Sequence, residues 1–145
     1  MFKHILVPVD GSDTAQTAVD KAIGLAQAFG SRVTVIYVID PYPFTGVGTD
    51  FAYGQIEYLS AATAEANTSV HAAKESFIAA GVTVDTSVIE ANAVWRGIVE
   101  AGASLEADLI VMGSHGRSGL EKLVLGSAAQ AVLSHTKLPV LVVRD

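Results

Sequence analysis

Short, continuous apolar runs separated by amphipathic stretches set the pattern of this chain. Runs such as Ile5-Leu6-Val7, Leu109-Ile110-Val111-Met112 and Val140-Leu141-Val142-Val143 do not alternate with polar residues, which is typical of parallel strands covered on both faces. Between the runs, apolar residues recur at helical spacing. In the first such stretch they are Ala15, Ala18, Val19, Ala22, Ala26 and Phe29. The pattern therefore predicts strands and helices in alternation.

Five strands and four helices are predicted. The strands cover approximately residues 2–9, 33–39, 82–89, 109–112 and 139–143. The helices cover approximately residues 13–29, 55–80, 93–105 and 127–135. Residues 40–54, which are rich in proline, glycine and aromatic side chains, are predicted to form a long connection without regular structure.

Residues that start and stop helices stand at the ends of these stretches. Ser12 or Asp13 can cap the first helix, Gly30 can end it, and Gly81 can end the second helix. The second helix has its own apolar stripe. Its members are Leu59, Ala66, Val70, Ala73 and Phe77.

Helical crossovers between successive strands predict an α/β fold, a single domain over residues 1–145 with a doubly wound parallel sheet. Ligands bind such sheets beyond the carboxyl ends of the strands, where the strand order reverses. Polar, glycine-bearing loops follow strand 1, at Asp10-Gly11-Ser12, and strand 4, at Gly113. If these two strands are neighbours, the order is 3-2-1-4-5 and both loops meet at the reversal.

Charge and composition argue against nucleic-acid binding, thiolate metal sites and membrane spans. The formal charge is −6, and the nine Lys and Arg residues are scattered, whereas nucleic-acid binders carry a basic patch or stripe. The chain has no cysteine for disulfides or thiolate metal sites, and no apolar run approaches the ~20 residues of a membrane span. Predicted structure begins at Phe2, so no signal peptide is expected and a cytoplasmic protein is the simplest interpretation.

The residues with the clearest chemistry follow strand 4. Gly113 and Gly116 are separated by two residues, and Gly126-Ser127 follow after nine more and open a helix. Glycine allows close approach of a ligand and positive φ, and backbone amides with a helix amino terminus bind phosphate. The two glycines Gly113 and Gly116 alone could simply make a turn. The whole arrangement predicts a site for a phosphorylated small molecule, most simply a nucleotide.

In these residues the chain resembles the universal stress protein family, in the branch with the nucleotide-binding signature G-x2-G-x9-G-[ST]. The likeness runs from His4-Ile5-Leu6-Val7-Pro8-Val9-Asp10-Gly11-Ser12 to Leu138-Pro139-Val140-Leu141-Val142-Val143. Two alanines, Ala91 and Ala93, stand where relatives commonly have glycine and proline. The resemblance implies the fold described above and binding of ATP, with Mg²⁺ as its companion ion.

The resemblance also implies a role for individual residues. It places the phosphates on the backbone around Gly113, Gly116, Gly126 and Ser127, with the Ser127 hydroxyl as a further donor. It gives Asp10 the ribose hydroxyls. It places Val9 and Val38 beside the adenine and adds backbone contacts from Met112 and Ala128.

Several of these positions have a second interpretation. Asp10 could cap the first helix instead. Arg117 either contacts the terminal phosphate or is solvated. His115 is expected at the rim of the site rather than as a catalytic base, and His135 is expected to complement a helix dipole. The aromatic residues of the long connection and the start of helix 2 either pack against the body or form a lid, and packing is favoured. They are Tyr42, Phe44, Phe51, Tyr53 and Tyr58.

Three functions remain open at this stage. The first is a regulatory module whose partner interactions depend on ATP occupancy. The second is an ATPase or phosphotransferase, which we expect to be slow because no lysine lies between Gly113 and Gly116 and the nearest carboxylate, Asp10, is assigned to ribose. The third is a structural dimer without a nucleotide. Homodimerisation is expected through the edge strand from Pro139 to Val143.

Overall fold

The computed structural model describes residues 1–41, 49–115 and 125–144, and of residues 49–53 and 55 it describes the backbone alone. Strands and helices alternate as predicted. The elements are β1 (His4–Pro8), α1 (Asp13–Phe29), β2 (Arg32–Ile39), α2 (Thr49–Ala79), β3 (Val84–Glu90), α3 (Val94–Ser104), β4 (Leu109–Gly113), α4 (Ser127–His135) and β5 (Val140–Val143). Most boundaries lie within two residues of the prediction.

The strands form one parallel sheet in the predicted order β3-β2-β1-β4-β5. β1 is central and all five of its residues are buried. It pairs with β2 on one side and with β4 on the other, where Ile5 lies opposite Leu109 and Leu6 opposite Ile110. The strand order therefore reverses between β1 and β4, and the doubly wound α/β fold is confirmed.

Two hydrophobic cores lie on opposite faces of this sheet. Alternate residues of β1 divide between them, with Ile5 and Val7 in one core and Leu6 in the other. The first core packs under α1 and α2 and includes Phe77, whereas the second packs under α3 and α4 and includes Val132. Because both faces are covered, the three inner strands β1, β2 and β4 are mostly apolar and buried, whereas the edge strand β3 carries exposed polar residues.

The helix ends follow the sequence signals closely. Ser12, rather than Asp13, is the N-cap of α1, and its hydroxyl accepts a hydrogen bond from the Ala15 amide at 3.2 Å. Gly30 ends α1 in the left-handed conformation, with φ of 66°. Phe29 departs from the prediction. It is 41% exposed and meets Phe2 edge to face.

The start of α2 is a correction to the sequence analysis. The helix begins at Thr49, six residues before the predicted start, so residues 49–54 are not part of an irregular connection. The prediction placed Gly54 in the long connection, yet a helix tolerates one glycine at a cost of about 1 kcal/mol. Residues 42–48, with Tyr42 and Phe44, lie outside the described residues.

The extra length of α2 projects past the sheet. Its 31 residues span about 46 Å, whereas the eight residues of β2 span about 26 Å. The carboxyl end of α2 is level with that of α1, since the Gln27 side chain donates to the Ala80 carbonyl. The overhang therefore lies at the amino end of α2, beside the carboxyl edge of the sheet.

Candidate functional site

A cavity of about 1010 Å³ opens at the carboxyl edge of the sheet, where the strand order reverses. All eight predicted site residues that the structure describes line it. They are Val9, Asp10, Val38, Met112, Gly113, Gly126, Ser127 and Ala128. The remaining two, Gly116 and Arg117, lie outside the described residues. The topology thus brings together segments that are more than a hundred residues apart in sequence.

Asp10 shapes the loop between β1 and α1. One of its carboxylate oxygens accepts a hydrogen bond from the Ser12 amide at 2.9 Å, while Ser12 caps the helix. Gly11, between them, has φ of 83°, a conformation that glycine adopts readily. Asp10 is therefore not the cap of α1, and its half-buried carboxylate, with several acceptor positions, lines the cavity.

Gly113 is required by packing between β4 and α1. A Cβ on Gly113 would lie 2.7 Å from the Thr14 methyl group and 3.2 Å from the Thr14 carbonyl carbon. Its φ is not positive, because the positive-φ glycines of the described residues are Gly11, Gly30 and Gly81. Close contact with α1, rather than a left-handed conformation, therefore requires glycine at this position.

Gly126 lies against the chain that leaves β4. Its amide donates to the Ser114 carbonyl at 2.7 Å, and a Cβ would come within 2.9 Å of the His115 Cα. The backbone is extended there, with φ of −65° and ψ of 159°. Gly126 therefore needs no positive φ either, and its absent side chain lets the start of α4 approach β4.

Among the described residues, the first backbone amides of α4 have no hydrogen-bond acceptor. Gly126 is the N-cap and provides no side-chain acceptor, and the first intrahelical amide bond is made by Gln130 to the Gly126 carbonyl. The amides of Ser127, Ala128 and Ala129 precede that bond, and all three residues line the cavity. Such amides, with the positive end of the helix dipole, form an anion-binding site.

His115 lies deeper than the sequence predicted. It is 8% exposed, and its Nδ1 is 3.1 Å from the Ser114 hydroxyl. It lines the cavity, but the expectation of an exposed rim residue is wrong. The hydrogen bond from the Gly126 amide to the Ser114 carbonyl holds the start of α4 against this segment.

Several further residues line the cavity without having been predicted as site residues, among them Tyr58 and Glu65 from α2 and Trp95 from α3. Trp95 stacks on His135 at 4.2 Å, and the Arg96 guanidinium lies 5.2 Å from its ring. His135 lies in the last turn of α4, where it was expected, and it also stacks on an aromatic ring. Tyr58 and Glu65 are seven residues apart, a helical spacing that could have indicated a shared face.

The electrostatics of the cavity are mixed. Asp10, Asp40 and Glu65 bring carboxylates to it, and none of its described lining residues is lysine or arginine. The α4 amides are the positive element opposite these acids. In the described ranges, no three His, Cys, Asp or Glu side chains cluster as metal ligands, and no helix is long and apolar enough to cross a membrane.

Comparison with known proteins gives a consistent result. The sequence profile of the universal stress protein family matches residues 1–144. A universal stress protein of Methanocaldococcus jannaschii is 38% identical over 145 residues, which cover 99% of this chain and 83% of the relative. The structure of universal stress protein UspA from Lactobacillus plantarum superposes with a TM-score of 0.84 at 29% identity, covering 98% and 97% of the two chains.

A further similar structure carries a ligand. It is a universal stress protein in complex with cAMP, which superposes with a TM-score of 0.63 at 27% identity and covers 99% of this chain and 97% of its own.

Proposed function

Because the chain belongs to the universal stress protein family, we propose that it binds an adenine nucleotide, ATP in particular, and acts as a dimeric regulatory module in a stress response. One observation carries the proposal. The free amides at the start of α4 face the same cavity as Asp10 and the apolar ends of β2 and β4. Phosphate, ribose and base each find groups of suitable chemistry there.

The base and the sugar fit the sheet side of the cavity. Val38 and Met112 are apolar residues at the carboxyl ends of β2 and β4, and with Val9 they give adenine an apolar surface. Asp10 is a carboxylate acceptor suited to the two ribose hydroxyls. The related protein that binds cAMP supports an adenine nucleotide over other phosphorylated molecules.

The phosphates fit the amino end of α4. The amides of Ser127 and Ala128 and the Ser127 hydroxyl are donors at the positive end of the helix dipole. Gly116 and Arg117 complete the proposed phosphate contacts from the sequence motif. Mg²⁺ would be held mainly by the phosphates themselves and water, as is usual for nucleotide-bound magnesium, and would offset the carboxylates that line the cavity.

Binding rather than turnover is the proposed activity. The residues between Gly113 and Gly116 are Ser114 and His115, so the loop has no counterpart to the phosphate-binding lysine of P-loop enzymes. Asp10 is engaged by the Ser12 amide and, in the proposal, by ribose. The parts that would stabilise phosphoryl transfer are therefore sparse, and hydrolysis is at most slow.

The dimer is proposed to form through β5, from Pro139 to Val143. β5 is an edge strand that pairs with β4 alone among the described strands, and Leu141 on it is 40% exposed. Such an edge invites pairing with another copy. Residues 1–145 would then act as one domain per protomer, in the cytoplasm, with a protein partner that responds to nucleotide occupancy.

The chain contains one tryptophan, which makes the proposal simple to test. Trp95 lines the cavity, so we expect ATP to change its fluorescence saturably, and denaturing release followed by mass spectrometry should identify any copurified nucleotide. Fluorescence that stays unchanged with ATP, ADP, AMP and cAMP, together with no thermal shift, would contradict the proposal.

A further inference from the structure

The cavity extends beyond the residues assigned to a nucleotide. Its lining includes members of both cores, Val38 and Met112 from the α3–α4 side and Tyr37 and Ile39 from the α1–α2 side. It therefore wraps over the carboxyl edge of the sheet. Its volume of about 1010 Å³ stands at the upper end of the roughly 300–1,000 Å³ usual for ligand pockets.

The α1–α2 side of the cavity is a compartment with its own walls. Ala15, Tyr37 and Ile39 are buried residues at its base, and α2 closes it from outside with Tyr58 and Ala62. The Tyr58 hydroxyl donates to the Asp40 carbonyl at 3.1 Å, which ties α2 to the end of β2. We call this side of the cavity the α2 compartment.

Glu65 forms the polar end of the α2 compartment. Tyr58, Ala62 and Glu65 share one face of α2 because they are four and three residues apart. The Glu65 carboxylate reaches the loop after β1, where one of its oxygens would be 3.6 Å from a Cβ placed on Gly11. Asp40 and Asp10 also line this side of the cavity, and no lysine or arginine does so among the described residues.

We propose that the α2 compartment binds a small organic amine, with its apolar body between Tyr37, Ile39 and Ala62 and its ammonium group on Glu65. The apolar walls favour a ring or short branched chain, and the surrounding carboxylates favour a cation over a neutral molecule or an anion. The site lies beside the proposed nucleotide site, and the two meet at Val9 and Asp10. It does not depend on nucleotide binding.

Phenethylamine is a suitable probe, because it has one aromatic ring and one ammonium group. Ligand-observed NMR would compare it with the neutral 2-phenylethanol and the anionic 3-phenylpropanoate, each with and without ATP. We expect the amine to bind at least about tenfold more tightly than either analogue, as for a charge-assisted hydrogen bond, and to bind in the presence of ATP. Equal affinity of the three probes, or no binding of the amine, would overturn the proposal.

Three variants locate the site. Ala62→Phe fills the α2 compartment and should abolish amine binding, whereas Ala64→Phe makes the same change on an exposed part of α2 outside the lining and should not. Glu65→Gln preserves the shape and should weaken amine binding roughly tenfold. The change in Trp95 fluorescence on adding ATP should be the same in Ala62→Phe and Ala64→Phe as in the parent, so failure of nucleotide binding is recognised separately. Retained amine binding in both Ala62→Phe and Glu65→Gln, or displacement of the amine by ATP, would overturn the proposal.

Discussion

The Cα of His115 lies directly beneath Gly126, so that a Cβ on Gly126 would approach it to 2.9 Å. This contact brings the start of α4 to the end of β4, with the Gly126 amide bonded to the Ser114 carbonyl at 2.7 Å. The glycine of the motif is thus needed by the protein itself before any ligand is present. A substitution at Gly126 tests the fold as well as the phosphate site.

We therefore expect Gly126→Ala to destabilise the ligand-free protein by about 1–3 kcal/mol, as overpacking against backbone does. Gly24→Ala is the matched control. Gly24 is within α1 and a Cβ there meets nothing within 4 Å, so this variant should gain about 0.5–1 kcal/mol. Urea unfolding of both variants without nucleotide measures the difference. Equal stability of Gly126→Ala and the parent would contradict the contact.

Substitution of Asp10 tests whether its carboxylate binds the ribose hydroxyls. Asp10→Ala should weaken ATP and ADP alike by about 1.5–3 kcal/mol, as for a hydrogen bond to a charged group. The loss should be much smaller for 2′,3′-dideoxy-ATP, which lacks both hydroxyls. Asp10→Asn is the control for the loop, because its side-chain oxygen can still accept from the Ser12 amide. If ATP and the dideoxy analogue lose the same binding free energy, Asp10 stabilises the fold or binds the metal ion and does not contact ribose.

The sequence predicted the sheet well because its inner strands β1, β2 and β4 are buried on both faces. Runs such as Leu109–Gly113 are apolar throughout, and Ser12, Gly30 and Gly81 mark helix ends by local chemistry. The start of α2 was missed because its first turns overhang the sheet and carry no periodic apolar face. Gly54, a residue type that is common in loops, lies within α2 all the same.

The site was predicted less completely than the fold. The motif identified Gly113 and Gly126, but it could not show that Thr14 and His115 fill the space beside them. Such contacts depend on how distant segments meet. Glu65 and Trp95 were missed for the same reason, since each reaches the cavity from a helix whose own pattern indicates only which face is apolar.

His4 predicts a pH dependence of stability far from the site, at the amino edge of the sheet. Its ring is buried, with Nε2 2.7 Å from the Thr34 hydroxyl and Nδ1 3.1 Å from the Leu105 carbonyl. A carbonyl only accepts, so Nδ1–H donates to it and Nε2 accepts from Thr34, which describes a neutral imidazole. Burial, followed by the nearby charge of Arg32, lowers the pKa of His4.

Because the pKa of His4 is lower in the folded state, the unfolded chain binds more protons as the pH falls below about 6.5. The contribution of His4 to stability is complete above that pH and is lost as the pH falls through the folded pKa. Urea unfolding at a series of pH values should show a weaker acid dependence in His4→Asn than in the parent. Parallel curves for the two proteins would show that His4 is not the titrating group.

The dimer prediction rests on the exposed edge of β5. Leu141→Asp places a charge on that edge and should convert a dimer to monomers in sedimentation velocity experiments. Ile78→Asp is the control, because Ile78 is 52% exposed and lies on α2, across the sheet from β5. A dimer that survives Leu141→Asp but dissociates in Ile78→Asp would place the interface elsewhere.

Turnover separates a regulatory module from an enzyme. Kinases commonly turn over at about 1–100 s⁻¹, and we expect this protein with Mg²⁺ and ATP to remain below about 0.1 s⁻¹, because no lysine lies between Gly113 and Gly116. A single-turnover assay with excess protein avoids limitation by product release. His115→Ala tests the residue best placed for chemistry, since its imidazole lines the cavity beside the α4 amides. Fast phosphate release that disappears in His115→Ala, with ATP binding retained by Trp95 fluorescence, would make this protein an ATPase instead.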